Sequence, residues 1–471
     1  MDELTVAIVH YHLRPGGVTR VIESTLTAIA SLPVRAVVLS GDSESKSPIA
    51  CAHAVPSLAY GASVSPETVL QECMSTAVDA LGREPDLWHI HNHALGKNTA
   101  LTSAVPVMAQ RGYRLLLQIH DFAEDGRPSN YSRLGSRPEG AALYPSAPHI
   151  HYALLNRRDV GIMRQAGGDE DRIWFLPNPV LPAGDTESSA AGTGTSIVYP
   201  TRAIRRKNLG EFLLWAAVAD EGSRFETTLA PTSPEDLPVY ARWKELAHEL
   251  GLPVHFEVGM RGDRTYAQIL RDARAVMTTS VAEGFGLAFL EPWLVGRPVI
   301  GRDLPDITQD FRDTGVVLDG LYSSLPIPVS WIGERAVRDG IEHRVTALYA
   351  AYGRTPGDGL YEAFVVDGTI DFGRLDETMQ AAVIRRARSD AATRNRIREL
   401  SATRDVSAGS TAENNRAVIE SRYGLVSYGD RLISTYRSMI RSPVGTCSQL
   451  DATTVLDAFL KPERLSLLRV Q

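Results

Sequence analysis

Ala275-Val276-Met277-Thr278-Thr279-Ser280-Val281-Ala282-Glu283-Gly284-Phe285-Gly286-Leu287-Ala288-Phe289-Leu290-Glu291 is the stretch on which the fold turns. Its first five residues are a short apolar run, as in a strand covered on both faces. A Gly-Phe-Gly loop follows, and a helix is predicted to begin near Leu287. Strand, glycine loop and helix form the unit of a parallel sheet, whose ligands bind at the carboxyl ends of its strands. Glycine lets a backbone approach a ligand closely, and a helix N-terminus favours phosphate or hydroxyl oxygens. Glu283 stands at the mouth of the loop and Glu291 one turn past Leu287, so both carboxylates are expected to face one cleft. Carboxylates accept hydrogen bonds from pairs of sugar hydroxyls without a metal. A surface Glu and a helix cap would give the same letters, but Gly-Phe-Gly between two Glu is an unusual demand on a backbone.

The same alternation extends on both sides of this stretch. Thr5 to Val9 reads as a strand, His10 to Pro15 as a loop closed by Gly16-Gly17, and Val18 to Leu32 as a helix. Ala36 to Leu39, Leu87 to His91 and Arg114 to His120 read as further strands. Residues 181–196 are small and polar without periodicity, as in a linker. The alternation then restarts at Ile197–Tyr199, with strands expected at Thr227–Ala230, His255–Val258, Pro298–Ile300 and Gly315–Leu318. A chain of 471 residues exceeds one ordinary core. An α/β fold with two Rossmann-like domains facing each other across a cleft is therefore expected. The first covers 1–180, the linker 181–196 and the second domain 197–424, with a helical segment at 425–471 packing back on the first domain. Residues 381–400 are predicted to be a helix whose arginines make a solvated, salt-bridged face; the sharper alternative is a site for a phosphorylated partner.

Two further motifs carry chemistry. Tyr199-Pro200-Thr201-Arg202-Ala203-Ile204-Arg205-Arg206-Lys207-Asn208 follows a predicted strand, where Arg offers a two-pronged phosphate contact and Lys a compact charge. The Gly16-Gly17 loop resembles a phosphate cradle, although it is neither a dinucleotide fingerprint nor a P-loop. Nine of the twelve histidines lie at or before His151. His89, His91 and His93 would share a face of an extended strand, which raises a metal site. The better reading ends the strand near His91 and lets His91, Asn92, His93, Lys97 and Asn98 line the acceptor side of a cleft. Asp125 and Arg127, in the polar loop after His120, join them.

Composition removes several function classes. Lys and Arg total 49 against 56 Asp and Glu, which argues against nucleic acid as a partner. Three cysteines without a CxxC pair argue against a disulfide framework and favour the cytoplasm. The first residues do not read as a signal peptide, and no apolar run is long enough to predict a membrane span. The helix predicted at Pro66–Glu84 is acidic, unlike a membrane-attaching helix.

Taken in order, Gly16-Gly17, the Arg202–Lys207 loop and the Glu283–Glu291 pair resemble the retaining glycosyltransferases of family 4, which have the GT-B fold. The resemblance runs from Gly16-Gly17 to the Tyr428–Tyr436 segment. It implies an acceptor-binding first domain and a nucleotide-sugar-binding second domain. Arg202 and Lys207 match the cations that bind the donor diphosphate. Glu283 matches the residue beside the anomeric carbon, and Glu291 the one on the ribose. His120 matches a histidine next to the donor sugar. Amides of Phe285, Gly286 and Leu287 would hold sugar and phosphate oxygens, Val258-Gly259-Met260 the base, and Gly17, with Gly16 beside it, the diphosphate. Catalytic roles thus fall to Glu283, His120, Arg202 and Lys207, with neither metal nor cofactor. The implied reaction moves a hexose from a nucleotide diphosphate sugar, UDP first and GDP next, to a hydroxyl of a small polar or saccharide acceptor. A disaccharide phosphorylase, a sugar-nucleotide epimerase, a non-catalytic binding module and a lipid-glycosylating enzyme are the alternatives.

Overall fold

The computed structural model describes residues 3–41, 49, 51–135, 142–182, 194–400 and 409–469. The chain forms two compact units, Met1–Pro179 with Arg422–Leu460, and Val180–Ser421 with Lys461–Gln471. The first unit begins β1 (Leu4–His10), α1 (Gly17–Ile29), β2 (Val34–Ser40), β3 (Ala52–Ala54), α2 (Pro66–Leu81), β4 (Leu87–His91) and α3 (Thr99–Gln110). It continues β5 (Leu115–Ile119), α4 (Pro128–Gly135), β6 (Pro145–Ser146), β7 (Ile150–Leu154), α5 (Arg157–Gln165) and β8 (Ile173–Phe175). Seven of these strands make one sheet in the order β3-β2-β1-β4-β5-β7-β8, all parallel. Successive side chains alternate between faces. Ala7, Val9, Leu39 and Leu117 therefore enter one core and Val6, Ile8, Val38 and Leu116 the other. α2 stops at Leu81, short of the predicted Glu84, because Gly82 turns left-handed at φ 75°.

The second unit runs β9 (Ser196–Arg202), α6 (Leu209–Val218), β10 (Arg224–Leu229), α7 (Leu237–Glu249), β11 (Val254–His255), α8 (Tyr266–Asp272) and β12 (Ala275–Thr278). Next come α9 (Glu291–Leu294), β13 (Val299–Arg302), α10 (Pro305–Asp313), β14 (Leu321–Tyr322), β15 (Pro326–Pro328), α11 (Glu334–Ala351) and α12 (Leu360–Phe364). β16 (Val365–Val366), β17 (Thr369–Asp371), α13 (Glu377–Ser389), α14 (Ala391–Leu400) and α15 (Gly409–Tyr423) follow. The main sheet has the order β11-β10-β9-β12-β13-β14 and is parallel, the strand order of a doubly wound nucleotide fold.

Several expected elements differ. The strand at His255–Val258 ends at His255, because Glu257 takes φ 61° and Val258–Met260 form a 3-10 turn. Gly315–Leu318 is not a strand. Asn415 takes both backbone groups of Val317, at 2.8 Å each, and the edge strand is β14. The helix near Leu287 is a 3-10 turn, Leu287–Phe289, followed by the four-residue α9. Pro292 sits in the first turn of α9, where a missing N–H costs nothing. Such a short element carries little of the dipole expected there.

The stretch beyond residue 320 folds into the antiparallel sheet β15-β17-β16 and a set of helices. Buried Arg302 of β13 joins that small sheet to the main one. It donates to Asp371 at 2.7 and 2.9 Å and to Glu211 at 2.6–3.1 Å. The helix predicted at 381–400 is two, α13 and α14, meeting at Asp390. Their exposed arginines do form salt bridges: Arg385 reaches Glu249 at 2.9 Å and Arg398 reaches Asp220 at 3.1 Å. Arg386 and Arg396 also lie over the Trp331 ring.

The chain then returns to the first unit as α16 (Leu425–Arg441), β18 (Ser448–Gln449) and α17 (Ala452–Phe459). Tyr428 meets Thr25 of α1 at 2.8 Å, and Tyr436 meets His89 at 2.8 Å. Residues 461–469 do not stay with this segment, contrary to the expectation for 425–471. Arg374 donates to Pro462 O and Leu465 O, and Ser466 donates to Gly373 O, which holds them on the second unit. Most of the expected linker, 183–193, lies outside the described residues. Among the described residues no helix is long and apolar enough to cross a membrane.

Candidate functional site

The second unit gathers its reactive groups where β9 and β12 end. β12 gives way to Thr279-Ser280, both fully buried. The Thr279 hydroxyl donates to Lys207 O and Asn208 O at 3.1 and 3.0 Å, while Val281 N donates to Arg206 O at 2.9 Å. These bonds pin the basic loop against the glycine loop. Glu283 accepts from Lys207 Nζ, from Arg206 Nη1 at 3.0 Å and from the Ser280 hydroxyl at 2.6 Å. Tyr199 of β9 supports both sides, with its hydroxyl 2.9 Å from Lys207 O and 2.8 Å from Ser280 Oγ. Burial alone would raise the Glu283 carboxyl, but the Lys207 and Arg206 charges and the Ser280 hydroxyl hold it at about 2. Glu283 is thus an anion at any working pH, held by two cations on one side.

Of the two expected cations, only Lys207 meets Glu283. Arg202 is exposed at the end of β9, and its Nη1 donates to Thr232 Oγ1 at 3.3 Å. Arg206 takes the second place, and Arg205 instead pairs with Glu377 at 3.3 Å. Nothing in the spacing of Arg205-Arg206-Lys207 separates these roles, because the 3-10 turn over them sets which side chain faces Glu283. Ser280 and Tyr199 went unnoticed in the sequence, since each is an ordinary strand-end residue there.

Glu291 begins α9, is buried, and accepts from the Tyr266 hydroxyl at 3.2 Å. Phe285 packs edge-on against Phe311 at 5.5 Å. Gly286 is required by the fold itself: its φ is 92°, and a Cβ there would lie 2.8 Å from the Phe289 ring. Leu287 opens the following turn. In the turn Val258–Met260, Val258 is buried and Met260 exposed, and a Cβ on Gly259 would come within 3.0 Å of Thr228 O.

In the first unit, Gly16 is extended and Gly17 begins α1 with no side chain capping its amides. A Cβ on Gly17 would meet nothing within 4 Å. Internal packing therefore does not require glycine at either position. His120 follows β5. Its backbone N–H donates to Asn92 Oδ1 at 2.7 Å, and its Nε2 lies 2.8 Å from His91 Nδ1.

The acceptor-side set is largely corrected. His91 is fully buried against His120. Asn92 takes φ 55° and uses its side chain to hold the His120 and Asp121 amides. His93 reaches Leu143 O at 2.9 Å. Asn98 caps α3 and ties down Ser57 O and Ala59 O at 2.8 and 2.9 Å. These four build the floor of the loops instead of lining an open surface, because each is spent on buried backbone or ring partners. Arg127 likewise braces its own loop, reaching Asp121 at 2.5 Å and Phe122 O and Asp125 O at 3.1 and 3.3 Å. Lys97 lies 5.6 Å from the centre of the exposed Tyr60 ring. The metal reading of the three histidines fails on direction. His89 turns to Tyr436 and Gln118, His91 to His120 and His93 to Leu143.

Glu124, in the same loop, is fully buried and accepts from the Tyr144 hydroxyl at 2.9 Å. Burial pushes its carboxyl up to about 7. A raised acid binds its proton more tightly in the folded chain, so its contribution is favourable at low pH and is lost as pH rises to about 7. Relative to Glu124→Gln, the natural chain should therefore lose up to about 3 kcal/mol of stability between pH 5 and 8, read as the difference between the two proteins' unfolding midpoints across that range. Parallel curves for the two proteins would refute the buried neutral acid.

Two units, each built on a parallel sheet with helices, make up the GT-B architecture. No protein-family model matches the chain. Among solved structures, sucrose-phosphate synthase from Thermosynechococcus elongatus is similar at TM-score 0.55 and 16% identity, over 92% of this chain and 98% of that one. HepE of Anabaena, solved with UDP and glucose, is similar at TM-score 0.54 and 15% identity, over 92% and 100%. Among curated proteins, the mannosylglucosyl-3-phosphoglycerate synthase of Petrotoga mobilis is 27% identical over 263 residues, which is 52% of each chain. The chain thus spans about half the length of the curated relative it matches.

Proposed function

We propose that this protein is a retaining glycosyltransferase that moves a hexose from a nucleotide diphosphate sugar to a hydroxyl of a soluble acceptor. The observation that carries the reading is the buried Glu283 anion held by Lys207, Arg206 and Ser280. As the bond to the sugar breaks, negative charge grows on the departing diphosphate. Lys207 and Arg206, with Arg202 at the end of β9, offset it in place of a metal ion. Glu283 orients the sugar and stabilises positive charge near its anomeric carbon. The acceptor hydroxyl attacks from the face the diphosphate leaves, and a phosphate oxygen takes its proton. The amides of Phe285, Gly286 and Leu287 hold donor oxygens, Glu291 the ribose, and Val258-Gly259-Met260 the base.

UDP-glucose is the first donor to try, supported by the HepE complexes with UDP and with UDP-glucose. A small polar or saccharide acceptor is supported by the relative named mannosylglucosyl-3-phosphoglycerate synthase. The test is a thermal-shift panel of UDP- and GDP-sugars followed by product analysis. A donor present at about a hundred times its Kd should stabilise the fold by about 2.7 kcal/mol. Turnover that depends on inorganic phosphate would show a phosphorylase instead, and the lack of any shift would sink the donor reading.

A further inference from the structure

The first unit holds a stack of imidazoles whose proton positions are constrained by their surroundings. His91 lies between His89 and His120, with ring centres 4.5 and 5.1 Å away and planes within 25° of parallel. His89 is locked in turn, its Nδ1 2.8 Å from the Tyr436 hydroxyl and its Nε2 2.8 Å from Gln118 Oε1. His91 therefore cannot rotate without breaking the stack. Its Nδ1 lies 2.8 Å from His120 Nε2, while its own Nε2 is buried with no hydrogen-bond partner. Burial lowers the basicity of both rings, His120 to about 4 and His91 well below its ordinary value. Each ring is therefore neutral near pH 7 and carries one proton.

One hydrogen must lie between His91 Nδ1 and His120 Nε2. If His120 supplied it, the proton of His91 would sit on the buried, unpartnered Nε2. Orphaned buried N–H groups are rarer than under-satisfied acceptors. With the proton on His91 Nδ1, only a lone pair is left bare at Nε2. We infer that His91 is a positioning residue that donates to His120 and fixes it in the Nδ1–H tautomer, so that His120 presents an N–H donor to a substrate oxygen. The tautomer follows from the hydrogen-bond geometry of two neutral rings. The substrate contact rests on the glycosyltransferase reading. His120 keeps 7% exposure while His91 has none, and Nδ1 lies on the ring edge away from His91. Free histidine favours the opposite tautomer, so the arrangement needs His91 to hold it.

The experiment is long-range proton–nitrogen correlation NMR on protein labelled in its histidines, with His120 and His91 assigned by loss of their signals in His120→Gln and His91→Asn. The natural chain should show His120 as Nδ1–H, without any ligand or variant. His91→Asn keeps a donor near the Nδ1 position and should preserve that tautomer. His91→Ala should release His120 to Nε2–H and lower kcat/KM about tenfold, the worth of one hydrogen bond, with Asn recovering most of the loss. His120 found as Nε2–H in the natural chain, or unmoved in His91→Ala, overturns the inference. The tautomer result is independent of turnover, so failure of the glycosyltransferase reading would be seen separately, in the donor panel.

Discussion

Glu283→Gln should lower kcat for sugar transfer about a thousandfold, equivalent to about 4 kcal/mol of barrier, while the chain stays folded and still binds donor. Gln keeps the shape and the Ser280 hydrogen bond but removes the anion. Positive charge near the sugar is then unopposed, and Lys207 and Arg206 lose their shared partner. Full loss of one member of a buried pair would cost about 3–5 kcal/mol of stability. Here the cost is smaller, because the Lys207 and Arg206 side chains keep 16% and 29% of their exposure and water can solvate them. Lys207→Ala should act in the same direction on kcat. The measurement is single-turnover product formation, with donor affinity and circular dichroism as controls. Near-natural turnover in Glu283→Gln would remove Glu283 from the chemistry.

The second large effect is on stability. Arg302→Leu should destabilise the second unit by about 3–5 kcal/mol, read as a lowered denaturant midpoint. Arg302 and Glu211 keep 5% and 0% side-chain exposure. Glu211 also accepts from Asn208 at 2.8 Å and from Tyr322 at 2.5 Å. Without Arg302, Glu211 is a buried carboxylate that lacks its cation, and Asp371 of the small sheet loses its tie to the main sheet. Burial already pushes the Glu211 carboxyl up. The variant should therefore recover part of its loss as pH falls and Glu211 takes a proton. A change under about 1 kcal/mol, or a loss that deepens at low pH, would show that the network does not bind the two sheets together.

The network also shows why part of the molecule could not be read in advance. Arg302 ends a strand in the sequence, and nothing near it signals Glu211, 91 positions earlier, or Asp371, 69 later. Asn208 stands beside Lys207, and its side chain meets both Glu211 and Gln380. The stretch beyond residue 320 thus reaches the basic loop through Gln380 of α13, by a route that no local pattern announces.

Local pattern alone determined the parallel alternation, because a strand buried on both faces is a continuous apolar run and its helix repeats at 3.6. It also singled out Glu283 and Lys207, which the structure pairs, since a glycine loop and a cation after a strand can be recognised by residue type. The tertiary structure decided which arginine joins them, that His91 and Asn98 are buried supports and not surface, and that the last residues return to the second unit. Those outcomes depend on side chains far apart in the chain competing for the same donors and acceptors. That competition is settled by strand register and helix packing, which span distances that no short window of residues encodes.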